Sequence, residues 1–146
     1  MTNNPNVSET KIRVRYQETD QMGVVYHANY LTWFEVGRTE WIRSFGITYQ
    51  QLEEKGLLLP VVDIHCKYMH PAKYDDEVIV RTSIDDFSGG KIVFRYEVVH
   101  PEKEIVLSEG SSVHLWVNKE MKRVNLKRVY PEFYELLHQI FSVERG

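Results

Sequence analysis

The spacing of apolar residues changes period along the chain. Residues 11–16 alternate basic and apolar side chains, which predicts a half-buried strand. From about His27 the spacing becomes three or four residues, which is typical of a helix. The helical stripe consists of Tyr30, Phe34, Gly37, Trp41 and Phe45. Further apolar residues widen this stripe, so we expect a long helix that is covered on most sides and ends near Gly46. At Gly37 we expect a packed backbone to approach closely.

The remainder of the chain is predicted to be mostly strand. Thr48 to Lys55 predicts a short second helix with Thr48 as its N-cap. Four alternating segments then predict strands near 62–68, 78–84, 92–98 and 105–117, and a terminal helix begins at Pro131. Successive strands with short turns favour an antiparallel meander. The long helix must pack against it. This order predicts an α+β fold in which one curved sheet wraps around a central helix.

Composition and charge narrow the class of protein. The chain has 146 residues, of which 42% are apolar and 27% charged, as expected for one globular domain. We predict a disordered polar tail over residues 1–10 and one domain over 11–142. A lone cysteine, Cys66, no apolar leader and no apolar run of membrane-spanning length indicate a cytoplasmic protein. A net charge of -3 gives no general attraction to nucleic acid.

Most of the candidate functional residues lie between the first strand and the long helix. Asp20 sits in this loop, Gly23 follows three residues later, and His27 stands at the predicted helix start. A helix N-terminus offers unpaired N–H groups and the positive end of a dipole, which stabilise an oxyanion. A carboxylate, a histidine and free amides that converge at one point suit acyl transfer.

This segment resembles the signature of the hotdog thioesterases of the 4-hydroxybenzoyl-CoA thioesterase and YbgC type. Their pattern is Tyr-x-Asp/Glu-Thr-Asp-x-x-Gly-Val-Val-Tyr-His-x-x-Tyr, followed by an aromatic-rich helix. The matching residues are Tyr16, Glu18, Thr19, Asp20, Gly23, Val24, Val25, Tyr26, His27 and Tyr30. The resemblance implies a hotdog fold, with a five-stranded antiparallel sheet around the helix, over about residues 11–140.

The resemblance also implies site residues and partners. Asp20 takes the position of the catalytic carboxylate, as general base or nucleophile, and His27 that of the family histidine, whose neighbouring amide polarises the thioester carbonyl. Tyr26, Asn29 and Gly23 are implied in substrate binding. The implied reaction is hydrolysis of an acyl-CoA to a free acid and CoA without a metal or cofactor. The implied assembly is a homotetramer, a dimer of dimers, with sites at subunit interfaces.

Several alternatives stay open for the same residues. Asp20 is also a typical N-cap or turn residue, and His27 a typical first-turn residue. Glu18 is a minor carboxylate candidate. Glu35, on the helix, occupies the region that a second hotdog branch uses for its base, although a buried, paired role is favoured. The alternative functions are a non-catalytic acyl-CoA binding module and a thioesterase for acyl carrier protein.

Other classes of site find little support in the sequence. The remaining histidines lack metal-ligand spacing, and there is no Gly-x-Ser-x-Gly elbow of a serine hydrolase. Basic residues that are candidates for binding CoA phosphates are Lys73, Lys91, Arg95, Lys122 and Arg123.

Overall fold

The computed structural model describes residues 6–145, with the side chains of 143–145 left aside. One five-stranded sheet packs against a long helix. The strands are β1 (Ser8–Arg13), β2 (Val61–Tyr68), β3 (Glu77–Phe87), β4 (Lys91–His100) and β5 (Ile105–Leu115). The helices are α1 (Asn29–Arg43), α2 (Tyr49–Glu54), α3 (Leu126–Val129) and α4 (Pro131–Arg145). These elements match the predicted order, with one short 3-10 turn at Tyr16–Glu18 and the brief α3 added.

The strand order is β1-β3-β4-β5-β2, and every neighbouring pair is antiparallel. The predicted meander of four strands is therefore wrong for β2, because only β3, β4 and β5 follow one another in space. β2 crosses to the far edge and pairs with β5, with Cys66 opposite Gly110. This crossover makes β1 and β2 the two edges of the sheet and places the chain that follows β2 beside the start of α1.

The N-terminal boundary also differs from the prediction. β1 begins at Ser8 rather than Lys11 and pairs Ser8 with Thr82. Asn6 is buried, and its carbonyl accepts a hydrogen bond of 2.8 Å from the indole of Trp41. Residues 6–10, predicted to be a disordered tail, are thus part of the packed domain. The rest of that predicted tail, residues 1–5, lies outside the described residues.

α1 lies on the sheet through the aromatic stripe that the sequence predicts. Phe34 stacks on Tyr96 of β4 with ring centroids 4.3 Å apart, and Trp41 meets Phe94 edge-on at 5.4 Å. Phe34 and Trp41 are fully buried. Burying each such ring contributes a few kcal/mol. α1 is therefore the central helix of the fold, and its N-terminus is held at a fixed place above one end of the sheet.

α2 shows the predicted cap. The Thr48 hydroxyl accepts a hydrogen bond from the N–H of Gln51, and the Gln51 side chain accepts one from the N–H of Thr48. This reciprocal pair is a capping box. Gly56, with φ of +79°, then turns the chain towards β2. No helix among residues 6–145 is long and apolar enough to cross a bilayer.

Gly37 shows the predicted close approach of α1 to the sheet. A Cβ built there would overlap Thr82 Oγ1 and lie 2.9 Å from Val80 Cγ1. We expect Gly37→Ala to destabilise the fold by about 1–3 kcal/mol, because overpacking outweighs the gain of roughly 1 kcal/mol in helix propensity. Thermal melting measures the effect. Thr32→Ala on the exposed face of α1 is the control, and equal stability of the two variants would contradict the packing argument.

Candidate active site

The loop before α1 forms a tight turn that orients the Asp20 carboxylate. The Asp20 N–H donates to the Val24 carbonyl at 2.8 Å, and the Gly23 N–H donates to the Asp20 carbonyl at 3.0 Å. Gly23 has a φ of +81°, which glycine adopts without strain. Asp20 Oδ1 accepts a hydrogen bond of 2.8 Å from the Met22 N–H. Among residues 6–142 no donor reaches Oδ2, so one carboxylate oxygen is available to a ligand.

Glu18 braces this loop against α1 and the neighbouring chain. Its buried carboxylate accepts hydrogen bonds from the indole of Trp33 at 3.0 Å and from the Arg15 N–H at 2.8 Å. Burial raises the pKa of Glu18, but these hydrogen bonds and the Arg15 guanidinium outweigh it and lower the pKa below its usual value. Its carbonyl accepts from the N–H of Tyr26 and the side chain of Asn29. Glu18 is therefore fully engaged in structure, which removes it as a carboxylate candidate.

Asp20 and His27 lie on the wall of one cavity of about 310 Å³. Tyr30 of α1 and Tyr68 at the end of β2 line the same cavity, together with His70 just beyond that strand. We call this the Asp20 cavity. The sequence predicts Asp20 and His27, whereas the residues at positions 68–71 are missed because they are some forty positions away. The crossover of β2 brings them in.

The chain just before the N-terminus of α1 is held in place by Tyr68 of β2. The Tyr68 hydroxyl donates a hydrogen bond of 2.8 Å to the carbonyl of His27, whose ring is exposed. Burial raises the pKa of Tyr30 and of Tyr68, so both hydroxyls keep their protons at neutral pH. The helix begins at Asn29 rather than at His27. Within residues 6–145 the N–H groups of His27 and Ala28 donate no hydrogen bond.

The other predicted binding residues lie around the cavity rather than on its wall. Tyr26 is half exposed, with its ring centroid 4.5 Å from that of His27. Asn29 holds the Glu18 carbonyl, and Gly23 supplies the turn. Of the basic candidates, Lys73 is adjacent to the site, through a strand-like bridge to Val24. Lys91 instead lies 3.5 Å from the carboxylate of Asp86.

A second cavity, of about 230 Å³, lies between α1, α2 and the chain that enters β2. We call it the Arg38 cavity; Glu35, Arg38, Tyr49 and Leu58 are on its wall. Glu35 is exposed, so the favoured expectation of a buried, paired Glu35 is wrong: the surface of α1 that carries it faces this cavity and solvent. Among the side chains of residues 6–142, no cationic group lies within ion-pair distance of it.

A buried polar chain leads inwards from Arg38. The charge of Arg38 acts on Tyr96, whose hydroxyl lies 2.5 Å from Ser112 Oγ. Ser112 Oγ lies 2.7 Å from Nε2 of His114, and Nδ1 of His114 lies 3.1 Å from the Leu59 carbonyl. Burial lowers the pKa of His114 to about 4, with the Arg38 charge adding to the effect. His114 is therefore neutral at physiological pH.

This histidine gives a prediction for pH-dependent stability. Because the folded-state pKa of about 4 lies below the usual 6.5, His114 contributes stability above about pH 6.5 that is lost as pH falls towards 4. The full loss in the free energy of unfolding is on the order of 3 kcal/mol. We expect His114→Gln to flatten the fall in urea midpoint between about pH 6.5 and pH 4.5. An unchanged slope would show that other groups govern acid stability.

Comparison with known proteins places the fold and the site in one class of enzyme, the thioesterases. The family model described as "Thioesterase-like superfamily" matches residues 14–137. YbgC of Escherichia coli O6:H1, named an acyl-CoA thioester hydrolase, is 32% identical over 124 residues, covering 84% of this chain and 92% of that protein. YneP of Bacillus subtilis, a candidate acyl-CoA thioesterase, is 45% identical over 130 residues, covering 88% and 94%.

A solved structure shows the same fold over nearly the whole chain. The DHNA-CoA thioesterase from Staphylococcus aureus superposes with a TM-score of 0.91 at 34% identity, covering 95% of this chain and 93% of that one. The fold is thus that of the hotdog thioesterases, as predicted, and the enzyme class is thioester hydrolase. The chain belongs to the thioesterase-like superfamily.

Proposed function

We propose that the protein hydrolyses an acyl-CoA thioester to a free carboxylic acid and CoA. The observation that carries this proposal is the Asp20 carboxylate on the wall of a cavity at the N-terminus of α1, where only one of its two oxygens accepts a hydrogen bond. The names of the E. coli and B. subtilis relatives support the same reaction. In this proposal Asp20 takes a proton from a water that attacks the carbonyl carbon, or Asp20 attacks that carbon itself and water then hydrolyses the resulting mixed anhydride. In either case the C–S bond breaks and CoA leaves as a thiolate, with little need of a proton donor.

The thioester carbonyl would be polarised at the N-terminus of α1. The N–H groups of His27 and Ala28 have no acceptor among residues 6–145, so both are available to an oxyanion. The positive end of the α1 dipole lies at the same place. Tyr68 holds the His27 carbonyl, which fixes the orientation of the adjoining peptide groups. Lys73 beside Val24 supplies a positive charge near the mouth, where CoA phosphates would approach.

We also propose that two copies pair through the free edge of β2. This strand carries exposed apolar side chains, with Val62 53% and Ile64 37% accessible. A long apolar edge is a ready template for another strand. The opposite edge, β1, is shorter and carries charged residues such as Arg13, paired with Glu77. Pairing of two such dimers would give the expected homotetramer.

Thiol release over a panel of thioesters tests the function. The panel contains short, long and aromatic acyl-CoAs and one acyl carrier protein thioester, each with the wild-type chain. We expect saturable release of CoA from at least one acyl-CoA. Preference for the carrier protein thioester, with rates that fall as salt rises, would favour the carrier protein alternative. Tight binding of acyl-CoA without release would favour the binding module.

His27 gives a prediction that separates its side chain from its backbone. We expect His27→Ala to lower turnover less than loss of the Asp20 charge does, because the ring orients substrate or water while the N–H survives the substitution. Steady-state kinetics of the two single variants measure this. A loss as large as that of the Asp20 variant would make the imidazole a direct participant in the chemistry.

A further inference from the structure

Asp76 is a carboxylate to which the reaction as proposed gives no part. It ends the loop of residues 69–76, which follows β2 and supplies part of the wall of the Asp20 cavity. Its side chain is 23% accessible. Both carboxylate oxygens face neighbouring groups: Oδ2 accepts a hydrogen bond of 2.9 Å from the Lys73 N–H, and Oδ1 lies 3.5 Å from Nε2 of His100. The carboxylate is therefore joined to its own loop on one side and to β4 on the other.

The contact between Asp76 and Lys73 closes a tight turn. The Asp76 N–H donates to the Lys73 carbonyl at 3.1 Å, while the Lys73 N–H donates to the Asp76 side chain, so the two residues hold each other. Asp75 between them has a φ of +70°, a left-handed conformation that non-glycine residues adopt only rarely. The turn is also tied to Val14, which donates to the Asp76 carbonyl and accepts from the Asp75 N–H. Its shape therefore depends on a small number of hydrogen bonds, one of which the Asp76 carboxylate accepts.

Backbone contacts connect this turn to Asp20. Val24 and Lys73 form a strand-like bridge, and the Val25 N–H donates to the Ala72 carbonyl at 2.9 Å. The Val24 carbonyl in turn accepts a hydrogen bond of 2.8 Å from the Asp20 N–H. A shift of Ala72 and Lys73 is therefore passed on to the turn that carries the Asp20 carboxylate.

A second connection runs through Tyr30 on the cavity wall. The Tyr30 side chain hydrogen-bonds the backbone of Ala72. Burial is the main cause of the raised pKa of Tyr30, and the negative charge of Asp76 adds to it. The Asp76 carboxylate is thus near enough to the Asp20 cavity to act on a group in its wall, although Asp76 itself does not line that cavity.

His100 holds the same carboxylate from the side of the sheet. It is the last residue of β4, a strand in the middle of the sheet, and is 5% accessible. Its Nδ1 atom accepts a hydrogen bond of 3.4 Å from the Lys103 N–H, so the neutral ring carries its proton on Nε2, the nitrogen that faces Asp76. A carboxylate held between an imidazole and a backbone amide has little freedom to rotate. Asp76 therefore anchors its loop to β4.

We propose, on the basis of the function proposed above, that Asp76 is a positioning residue for thioester hydrolysis. It keeps residues 72–73 in place against the turn that carries Asp20, and in this way sets the position of the Asp20 carboxylate relative to the thioester carbonyl. His100 supports this role by fixing the direction of the Asp76 carboxylate. Asp76 touches neither the substrate nor the attacking water, so its loss affects the chemical step rather than binding.

Steady-state kinetics of Asp76 variants test the role, with the acyl-CoA that the wild-type chain hydrolyses fastest as substrate. Asp76→Ala should lower kcat about 10- to 30-fold and change KM less than about threefold, because misplaced reacting groups slow the chemistry more than they weaken binding. Asp76→Asn keeps an oxygen for the Lys73 N–H and should bring kcat back to within about threefold of wild type. Asn118→Ala is the matched control and should change neither constant, since Asn118 Oδ1 also accepts backbone N–H groups, those of Glu120 and Lys122, in a turn outside the cavity.

A second measurement separates positioning from a general effect on the fold. Asp76→Ala is combined with Asp20→Asn, and thermal melting confirms that the chains are folded. In this background Asp76→Ala should lower the residual rate less than about twofold, because the carboxylate that it positions is gone. A purely structural role would lower the rate by the same factor in both backgrounds. His100→Phe keeps the turn and a ring of similar size and should lower kcat about three- to tenfold; it replaces Asp76→Ala in both measurements if that chain does not fold.

The outcomes for this inference and for the proposed function differ. Wild-type kcat in the folded test variant, beside a strongly impaired Asp20→Asn, would overturn the positioning role of Asp76 alone. A loss that appears only in KM, or equal losses with and without the Asp20 carboxylate, would overturn it as well. Normal turnover of Asp20→Asn would instead overturn the proposed function, and the positioning of Asp20 with it.

Discussion

Asp20→Asn is expected to lower turnover of the preferred acyl-CoA by at least ~10²-fold, the low end for loss of acid–base catalysis. The substitution keeps the size of the side chain and leaves an oxygen that accepts from the Met22 N–H, as Oδ1 does now. It removes the negative charge needed for a base or a nucleophile. Binding of a non-hydrolysable CoA analogue should persist, because the cavity wall is unchanged. Thiol release and analogue binding measure the two effects.

The same variant separates catalysis from a role in the turn. If Asp20 is catalytic, thermal stability should hold or rise, because functional carboxylates often sit where they cost stability. If Asp20 only forms the turn, turnover should stay near normal and the free energy of unfolding should fall by ~1 kcal/mol. Asp86→Asn is the matched control, since Asp86 Oδ1 also accepts a local backbone N–H, that of Phe87, away from the cavity. Normal turnover in Asp20→Asn would make Glu35 the next carboxylate to test.

The elements that depend on local sequence were predictable. The aromatic spacing of α1 follows from a helical period, and its burial against β4 follows from its width. The capping box at Thr48 is a local pattern of two side chains. The close approach at Gly37 was expected because glycine inside a helix is costly unless it packs. The turn that carries Asp20 is equally local, since its hydrogen bonds run over four residues.

The features that depend on distant pairing were not predictable. A strand pattern states which residues alternate but not which strand they pair with, so β2 was placed beside β3 instead of β5. Tyr68 was therefore missed as the donor to the His27 carbonyl. The polar chain from Arg38 to His114 joins α1 and β5, and its residues look like ordinary core or surface positions in the sequence. The early start of β1 was missed because residues 8–10 are polar.

Ile64→Lys is expected to convert the assembly to monomers and to lower kcat/KM by about 100-fold or more. Ile64 lies at the middle of the free edge of β2 and is 37% accessible in the single chain. In a symmetric pair the two new lysines lie close together near the two-fold axis, and like charges at such a position oppose association. If each site lies at a subunit interface, as the resemblance implies, a monomer lacks the partner's side of it, and loss of positioning by even 1 Å costs on the order of 10²-fold.

Light scattering and thiol release on the same samples measure both effects. Thr10→Lys, at the middle of the other edge strand, adds the same charge where no pairing is proposed and should leave both assembly and activity unchanged. Raising the protein concentration should restore activity to Ile64→Lys in parallel with dimer formation, because the defect lies in association. A folded, monomeric Ile64→Lys with wild-type kcat/KM would contradict a site shared between subunits. A wild-type chain that stays monomeric at micromolar concentration would contradict the pairing of β2 itself.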